Sequence, residues 1–265
     1  MKLPVPYELY ELAVQSPDSH VELFSWIYQE IHERPARRLR EDFCGTFQIC
    51  CEWAKADRRN TSVGIDLDPD PICYGKETHW EKLSEDQQKR VEVKRGDVLT
   101  TRSAPADIVV ACNFSYYIFK ERKLLVRYFK SVLKALKSGG ILILETGGGP
   151  GFIEKTKERK TVRRRGKPPY VYTWDQQSFD PVTHSARYAI HFRVKGQKAI
   201  NNAFTYDWRI WSIPEVKECL LEAGFARSLV YWETEHRGRP TGEYAATEAG
   251  DNAYSWCSYL VGVKR

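Results

Sequence analysis

No stretch of this 265-residue chain carries the roughly 18 to 20 consecutive apolar residues that a bilayer-spanning helix needs. The longest apolar runs, Ile108-Val109-Val110-Ala111-Cys112 and Ile141-Leu142-Ile143-Leu144, have the length of buried strands, so no membrane partner is expected. The seven cysteines are odd in number and include no CxxC pair, which suits neither a disulfide framework nor a zinc site. The expectation is reduced thiols in a cytoplasmic protein. The opening residues, MKLPVPYELYELAVQ, have one lysine followed by prolines and acids and do not read as a signal peptide. Glycine is also scarce where a nucleotide-type loop would need it. In REDFCGTFQICCEWA, running from Arg40 to Ala54, Gly45 stands alone between Phe43 and Phe47. A GxGxxG turn is missing, which weighs against a nicotinamide cofactor. No Ser-His-Asp set or metal-ligand cluster is evident, and His184 and His191 read as isolated.

What is present is a large core and one basic segment. Hydrophobic content of 42% and aromatic content of 13% are ample for one large domain. The net charge of +6 is local: eight basic residues against two acids between Glu154 and Lys167 account for all of it.

Helical spacing recurs from Tyr7 to Val14 and from Val21 to Ile31, with Ser16-Pro17-Asp18-Ser19 as breaker and cap. Beyond Pro35, strand-like and helical segments alternate: 36–42, 47–56, 61–66, a segment opened by Pro69 and Pro71, 91–97, 106–113, a helix over 121–137 stopped by Ser138-Gly139-Gly140, and 141–145. This alternation predicts an open parallel sheet with helices on both faces, its ligands bound at the carboxyl ends of the strands. Glu41/Asp42, Asp66, Asp97, Asn113 and Glu145 fall at those ends. Asp66 is placed to accept from a ribose diol, Asp97 from an exocyclic amine such as that of adenine, and glycine at 45 would let a ligand approach the backbone closely. After Thr146, three segments (171–174, 186–194, 203–211) alternate as antiparallel strands. A helix over 214–223, stopped by Gly224, and strands over 227–233 and 256–263 close the pattern.

In motif order the chain resembles the class I S-adenosylmethionine-dependent methyltransferases. Glu41-Asp42-Phe43-Cys44-Gly45-Thr46-Phe47 is similar to that family's acid-x-Gly-x-Gly-x-Gly loop, with phenylalanine at its first and third glycines. Val63-Gly64-Ile65-Asp66-Leu67-Asp68 resembles the ribose-holding motif, Gly96-Asp97-Val98 the adenine-contacting one, and Ala106 to Phe114 the fourth strand with its acceptor-facing end. Leu133-Lys134-Ala135-Leu136-Lys137-Ser138-Gly139-Gly140 followed by Ile141 to Leu144 is the most specific match.

The resemblance implies a doubly wound, mostly parallel, Rossmann-like seven-stranded α/β sheet. It implies an N-terminal helical cap (1–35), a cofactor-binding core (36–146), an antiparallel β insertion capping the substrate (147–211) and a C-terminal part of the sheet (212–265), all in a single domain. The implied cofactor is S-adenosyl-L-methionine, leaving as S-adenosyl-L-homocysteine. Its expected contacts are Glu41, Phe43, Cys44, Gly45, Thr46, Asp66, Leu67, Asp97, Val98 and Asn113, with aromatic walls at the loop. Asn113, Tyr116 and Tyr117 are the expected acceptor-side residues, and no metal is expected. The expected acceptor is a small molecule methylated on nitrogen or oxygen, with residues 154–167 as a solvated, mobile lid. An RNA or protein docked by that basic run, or a non-catalytic cofactor-binding module, are the alternatives.

Overall fold

The computed structural model describes residues 6–236 and 239–265. Two helices open the chain, α1 (Pro6–Val14) and α2 (Pro17–His32). Proline in the first turn suits the start of α2, and Glu33 in the left-handed conformation ends it. Then β1 (Arg38–Asp42), α3 (Gln48–Ala56), β2 (Thr61–Asp66), α4 (Pro69–Thr78), α5 (Glu85–Gln88), β3 (Val91–Arg95), β4 (Ala106–Ala111), α6 (Arg122–Ala135) and β5 (Leu136–Gly148) alternate. The local signals are chemical. The Asp68 side chain caps α4 by accepting from Asp70 N, and a reciprocal Ser212–Glu215 capping box opens α7 (Ile213–Ala223), which Gly224 closes at φ 109°. Strand β5 begins earlier than the sequence pattern suggests. Ser138-Gly139-Gly140 lies within it as an irregular entry, and the register with β4 shifts between Ala106 and Ile108.

Between β5 and α7 come β6 (Lys157–Arg164), β7 (Lys167–Phe179), β8 (Ser185–Val194) and β9 (Ile200–Arg209). After α7 come β10 (Arg227–His236), β11 (Arg239–Ala246) and β12 (Trp256–Val263). The main sheet runs β11-β10-β12-β5-β4-β1-β2-β3 and the second β6-β7-β8-β9. Strands β1 to β5 are parallel neighbours, while β12 lies antiparallel between β5 and β10. The main sheet therefore has eight strands rather than the expected seven, because β11 adds an edge beside β10.

The strand order reverses between β1 and β4, the switch point at which open α/β sheets bind ligands. Helices cover both faces: α2 and α3 pack on the side of Leu39, Ile108 and Ile143, and α6 and α7 on the side of Val109, Leu142 and Leu144. The segment expected to be a mobile lid is a strand. Lys157 pairs with Asp175 at 3.0 Å, Lys167 with Glu8 at 2.6 Å, and Arg164 donates to the Pro168 carbonyl at 2.8 Å. Much of its charge is therefore engaged within the fold. All seven cysteines are free. No helix among the described residues is long and apolar enough to cross a membrane.

Candidate active site

The loop after β1 keeps a glycine-loop shape without the glycines. Phe43, Gly45 and Phe47 all take the left-handed conformation, at φ 57°, 53° and 44°. A non-glycine residue there costs about 1–2 kcal/mol, so the two phenylalanines must recover that elsewhere. Phe47 is 1% exposed and packs with Cys44, Cys50 and Ala54, away from the cleft. Phe43 meets Phe119 and Tyr128 at 5.8 and 5.7 Å. The need for glycine has moved to the neighbours. A Cβ at Gly64 on β2 would come within 2.8 Å of Cys44 Sγ, and one at Gly75 on α4 would run into Thr46 O and sit 2.8 Å from the Phe47 ring. Of the aromatic walls expected at this loop, Phe43 faces the cleft and Phe47 serves the core.

Beside the loop, Asp66 ends β2 with both carboxylate oxygens in use, accepting from Gly45 N at 2.7 Å and Asp68 N at 2.9 Å. Glu41 is 5% exposed and accepts from Cys50 N at 3.2 Å. Burial pushes its carboxyl up to about 8. Burial likewise raises the Cys44, Cys50 and Cys112 thiols, so all three stay protonated near neutrality. On the opposite face of β1, Arg40 and Asp42 form a 2.7 Å ion pair at 1% and 0% exposure, with Tyr128 donating to Asp42 at 3.0 Å. Arg40 also reaches the carbonyls of Val98 and Thr101, fixing the turn after β3.

These groups line a cleft of about 500 Å³ at the β1–β4 switch point: Glu41, Phe43, Cys44, Gly45 and Thr46 with Asp66, then Cys112 and Asn113. Helix α1 roofs it with Tyr7 and Tyr10, and Gln15 follows. The roof is latched to the loop, since Glu11 accepts from Thr46 Oγ1 at 2.5 Å and lies 2.7 Å from His79 Nε2. Two features fit an amino-acid-bearing nucleoside. A side chain at Gly45 would point into open space, which leaves its backbone accessible, and among the described residues the Gln15 Oε1 in the cleft wall is buried without a partner.

A second cavity of about 260 Å³ lies under the small sheet, walled by Phe114, Tyr172, Trp174 and Trp208, with Glu158, Arg159 and Lys160 of β6 on its rim. It shares Tyr10, Asn113, Tyr206 and Trp208 with the first. Tyr206 and Trp208 lie 4.4 Å apart between ring centroids, and Trp174 stacks on Tyr188 at 5.0 Å.

Asn113 thus stands at the junction, but several expected site residues do not. Tyr116 and Tyr117 are 0% exposed, and both hydroxyls meet Thr146 Oγ1, at 2.9 and 2.8 Å. The turn after Asn113 carries both rings into the core, so neither is placed to touch an acceptor. Leu67 is 68% exposed and Val98 buried, and neither lines the cleft. The Asp97 carboxylate accepts from Leu99 N at 2.9 Å and is likewise outside the cleft lining. Conversely, Tyr10 and Gln15 were missed. Their only signal in the sequence is an aromatic in the middle of a short helix and an amide just past its end. Ligand-type atoms of His20, Cys112 and Glu145 lie within 4.8 Å of one another. Donors sharing one zinc ion sit roughly 3.5 Å apart.

No protein-family model matches the chain, and no curated protein matches it. Solved structures do. DesVI of Streptomyces venezuelae superposes with a TM-score of 0.73 at 16% identity, covering 100% of both chains. The amino pentose methyltransferase CalS10 of Micromonospora echinaspora gives 0.71 at 16% identity over 100% of this chain and 98% of that one. The sugar N-methyltransferase KedS8 of a Streptoalloteichus species gives 0.69 at 17% identity, over 100% and 95%. Identities this low speak for architecture, and the architecture is that of the class I S-adenosylmethionine-dependent methyltransferases.

Proposed function

We propose that this protein transfers the methyl group of S-adenosyl-L-methionine to a nitrogen or oxygen nucleophile of a small molecule held under the four-stranded sheet. The observation that carries this reading is the pair of cavities sharing Tyr10, Asn113, Tyr206 and Trp208, one hydrogen-bonded and acidic, the other aromatic. The Asp66 carboxylate, the face of Gly45 left open by its missing side chain, and the Gln15 Oε1, unpartnered among the described residues, are the groups that would hold the cofactor. When bound, the cofactor supplies a methyl group on a sulfonium, a very good leaving group. The chain's own part is alignment and exclusion of water. Asn113 orients the acceptor's polar atom at the shared wall, and the surrounding rings favour a cationic centre and keep solvent out. The neighbours named as an amino pentose methyltransferase and a sugar N-methyltransferase support nitrogen as the acceptor atom.

The RNA or protein reading has less behind it. The basic run is an edge strand with Lys157 and Arg164 engaged by the fold and Lys160 turned to the cavity rim, donating to the Ala13 carbonyl. The reducing cytoplasm is the compartment we propose, in keeping with the free thiols.

The test is formation of S-adenosylhomocysteine against a panel of amino sugars, simple amines, hydroxy compounds and bulk RNA, at low and high salt. Turnover with a small amine or alcohol that survives high salt supports the proposal. Turnover with RNA alone, lost steeply as salt rises, would overturn it.

A further inference from the structure

Asn113 and Phe114 follow one another in the left-handed conformation, at φ 53° and 56°. Neither is glycine, and two such residues in succession do not hold that shape unaided. The turn has a clamp from the neighbouring strand: Glu145, near the carboxyl end of β5, accepts from Asn113 N through Oε2 at 2.6 Å. Ser115 closes the other side, donating to the Cys112 carbonyl through N at 3.1 Å and Oγ at 2.6 Å. What the turn presents is the wall between the cavities. Asn113 lines both, and Phe114 lines the aromatic one, where its ring meets Phe152 at 5.5 Å and Trp208 at 6.1 Å.

We propose that Glu145 is a positioning residue for the transfer: its carboxylate holds the strained Asn113–Phe114 turn and so fixes the Asn113 amide and the Phe114 ring at the junction. This rests on the methyl-transfer reading. Glu145 is outside the lining of either cavity, so it acts through Asn113 rather than on a ligand. The titratable groups around it are His20 of α2, Cys112 just after β4, Tyr116 in the turn that follows, Tyr259 and Cys257 of β12, Tyr244 of β11 and Tyr10 of α1. Among the described residues the Nδ1 of His20 is buried without a partner, and the carboxylate accepts from the backbone N–H of Asn113.

Two variants test this, Glu145→Gln and Glu145→Ala. The amide oxygen of glutamine can still accept from Asn113 N, whereas alanine leaves that N–H without its acceptor. The expected result is a kcat/KM for the acceptor about a hundred-fold lower in the alanine variant, with the glutamine variant close to wild type. S-adenosylhomocysteine affinity should be unchanged in the glutamine variant and fall far less than kcat/KM in the alanine variant, since Asp66 and the Gly45 loop are untouched and only the Asn113 edge of the cleft moves. Amide hydrogen exchange gives a readout that needs no acceptor: the Asn113 N–H should exchange faster in the alanine variant than in wild type or the glutamine variant. Unchanged exchange at Asn113 in Glu145→Ala overturns the clamp, whatever the turnover shows. A glutamine variant as inactive as alanine, with a shifted acid limb in the pH–rate profile, also overturns it, because that pattern belongs to a carboxylate that takes the proton itself. Absent turnover in wild type with fast Asn113 exchange in the alanine variant would count against the methyl-transfer reading and leave the clamp standing.

Discussion

The two sides of the junction at Asn113 are built by opposite means. On the cleft side the work is done by backbone and short hydrogen bonds: Gly45 N on Asp66, Cys50 N on Glu41, Thr46 on Glu11. On the cavity side, under the small sheet, it is done by rings, and the polar groups of β6 stay at the rim. The main sheet supplies fixed polar points because parallel strands end together at its switch point. The antiparallel sheet supplies an apolar shape because alternate residues of β7, β8 and β9 all face inward. Changes on the first side should therefore move cofactor affinity and stability, and changes on the second should move the acceptor alone.

The largest expected effect sharpens the first side. Glu41 keeps its proton in the folded chain up to about pH 8, while an unfolded chain releases it at roughly pH 4.3. Across that window the unfolded state binds fewer protons, so stability falls as pH rises and levels off above the upper value. Glu41→Gln removes this penalty. At about 1.4 kcal/mol per pH unit, the ligand-free variant should be more stable than wild type by a few kcal/mol above pH 8, with the gain fading toward pH 4. Urea unfolding at several pH values checks this, and equal gains at all pH would refute it.

Next is the displaced glycine. Gly75→Ala places a methyl group against Thr46 O and the Phe47 ring, and overpacking of this kind costs about 1–3 kcal/mol. The loop must shift to accept it, so both melting temperature and S-adenosylhomocysteine affinity should fall. A variant that binds as wild type would show that the Phe47 site is not what shapes the loop. The smallest effect breaks the comparison from the other side. Trp174→Ala removes a cavity wall stacked on Tyr188, worth about 0.5–1.5 kcal/mol beyond buried area. Acceptor KM should rise by up to roughly ten-fold while cofactor affinity stays put. A loss of cofactor affinity would mean the two sides are not separate.

Much of this organisation was legible in the sequence. Strands β2, β4 and β5 read as apolar runs ending in Asp66, Asn113 and Glu145, and the helix before β5 shows its apolar face plainly. Strand β1 was nearly hidden, because Arg40 and Asp42 are charged yet fully buried as a pair, a solution hydropathy does not reveal. Strand β6 was read as a lid for a related reason. Basic residues occupy both of its faces, Lys157 and Arg159 outward, Lys160 and Arg164 toward α1 and β7, so no alternation of polarity remains. Tyr116 and Tyr117 misled because two left-handed residues, Asn113 and Phe114, rotate the chain just before them. Nothing short of the backbone conformation could have shown that their hydroxyls end on Thr146. The cleft roof was the least legible part. Tyr10 and Gln15 reach it because Leu9 and Ala13 of α1 pack against the four-stranded sheet and Glu11 is tied to Thr46 of the loop after β1.

The most direct test of the central claim is calorimetric titration of ligand-free wild type and Asp66→Ala with S-adenosylhomocysteine. The claim predicts micromolar one-to-one binding by wild type. It also predicts affinity at least about ten-fold weaker in the variant, since a charged hydrogen-bond acceptor is worth roughly 1.5–3 kcal/mol. A folded wild type that binds nothing, or a variant that binds equally well, would contradict it.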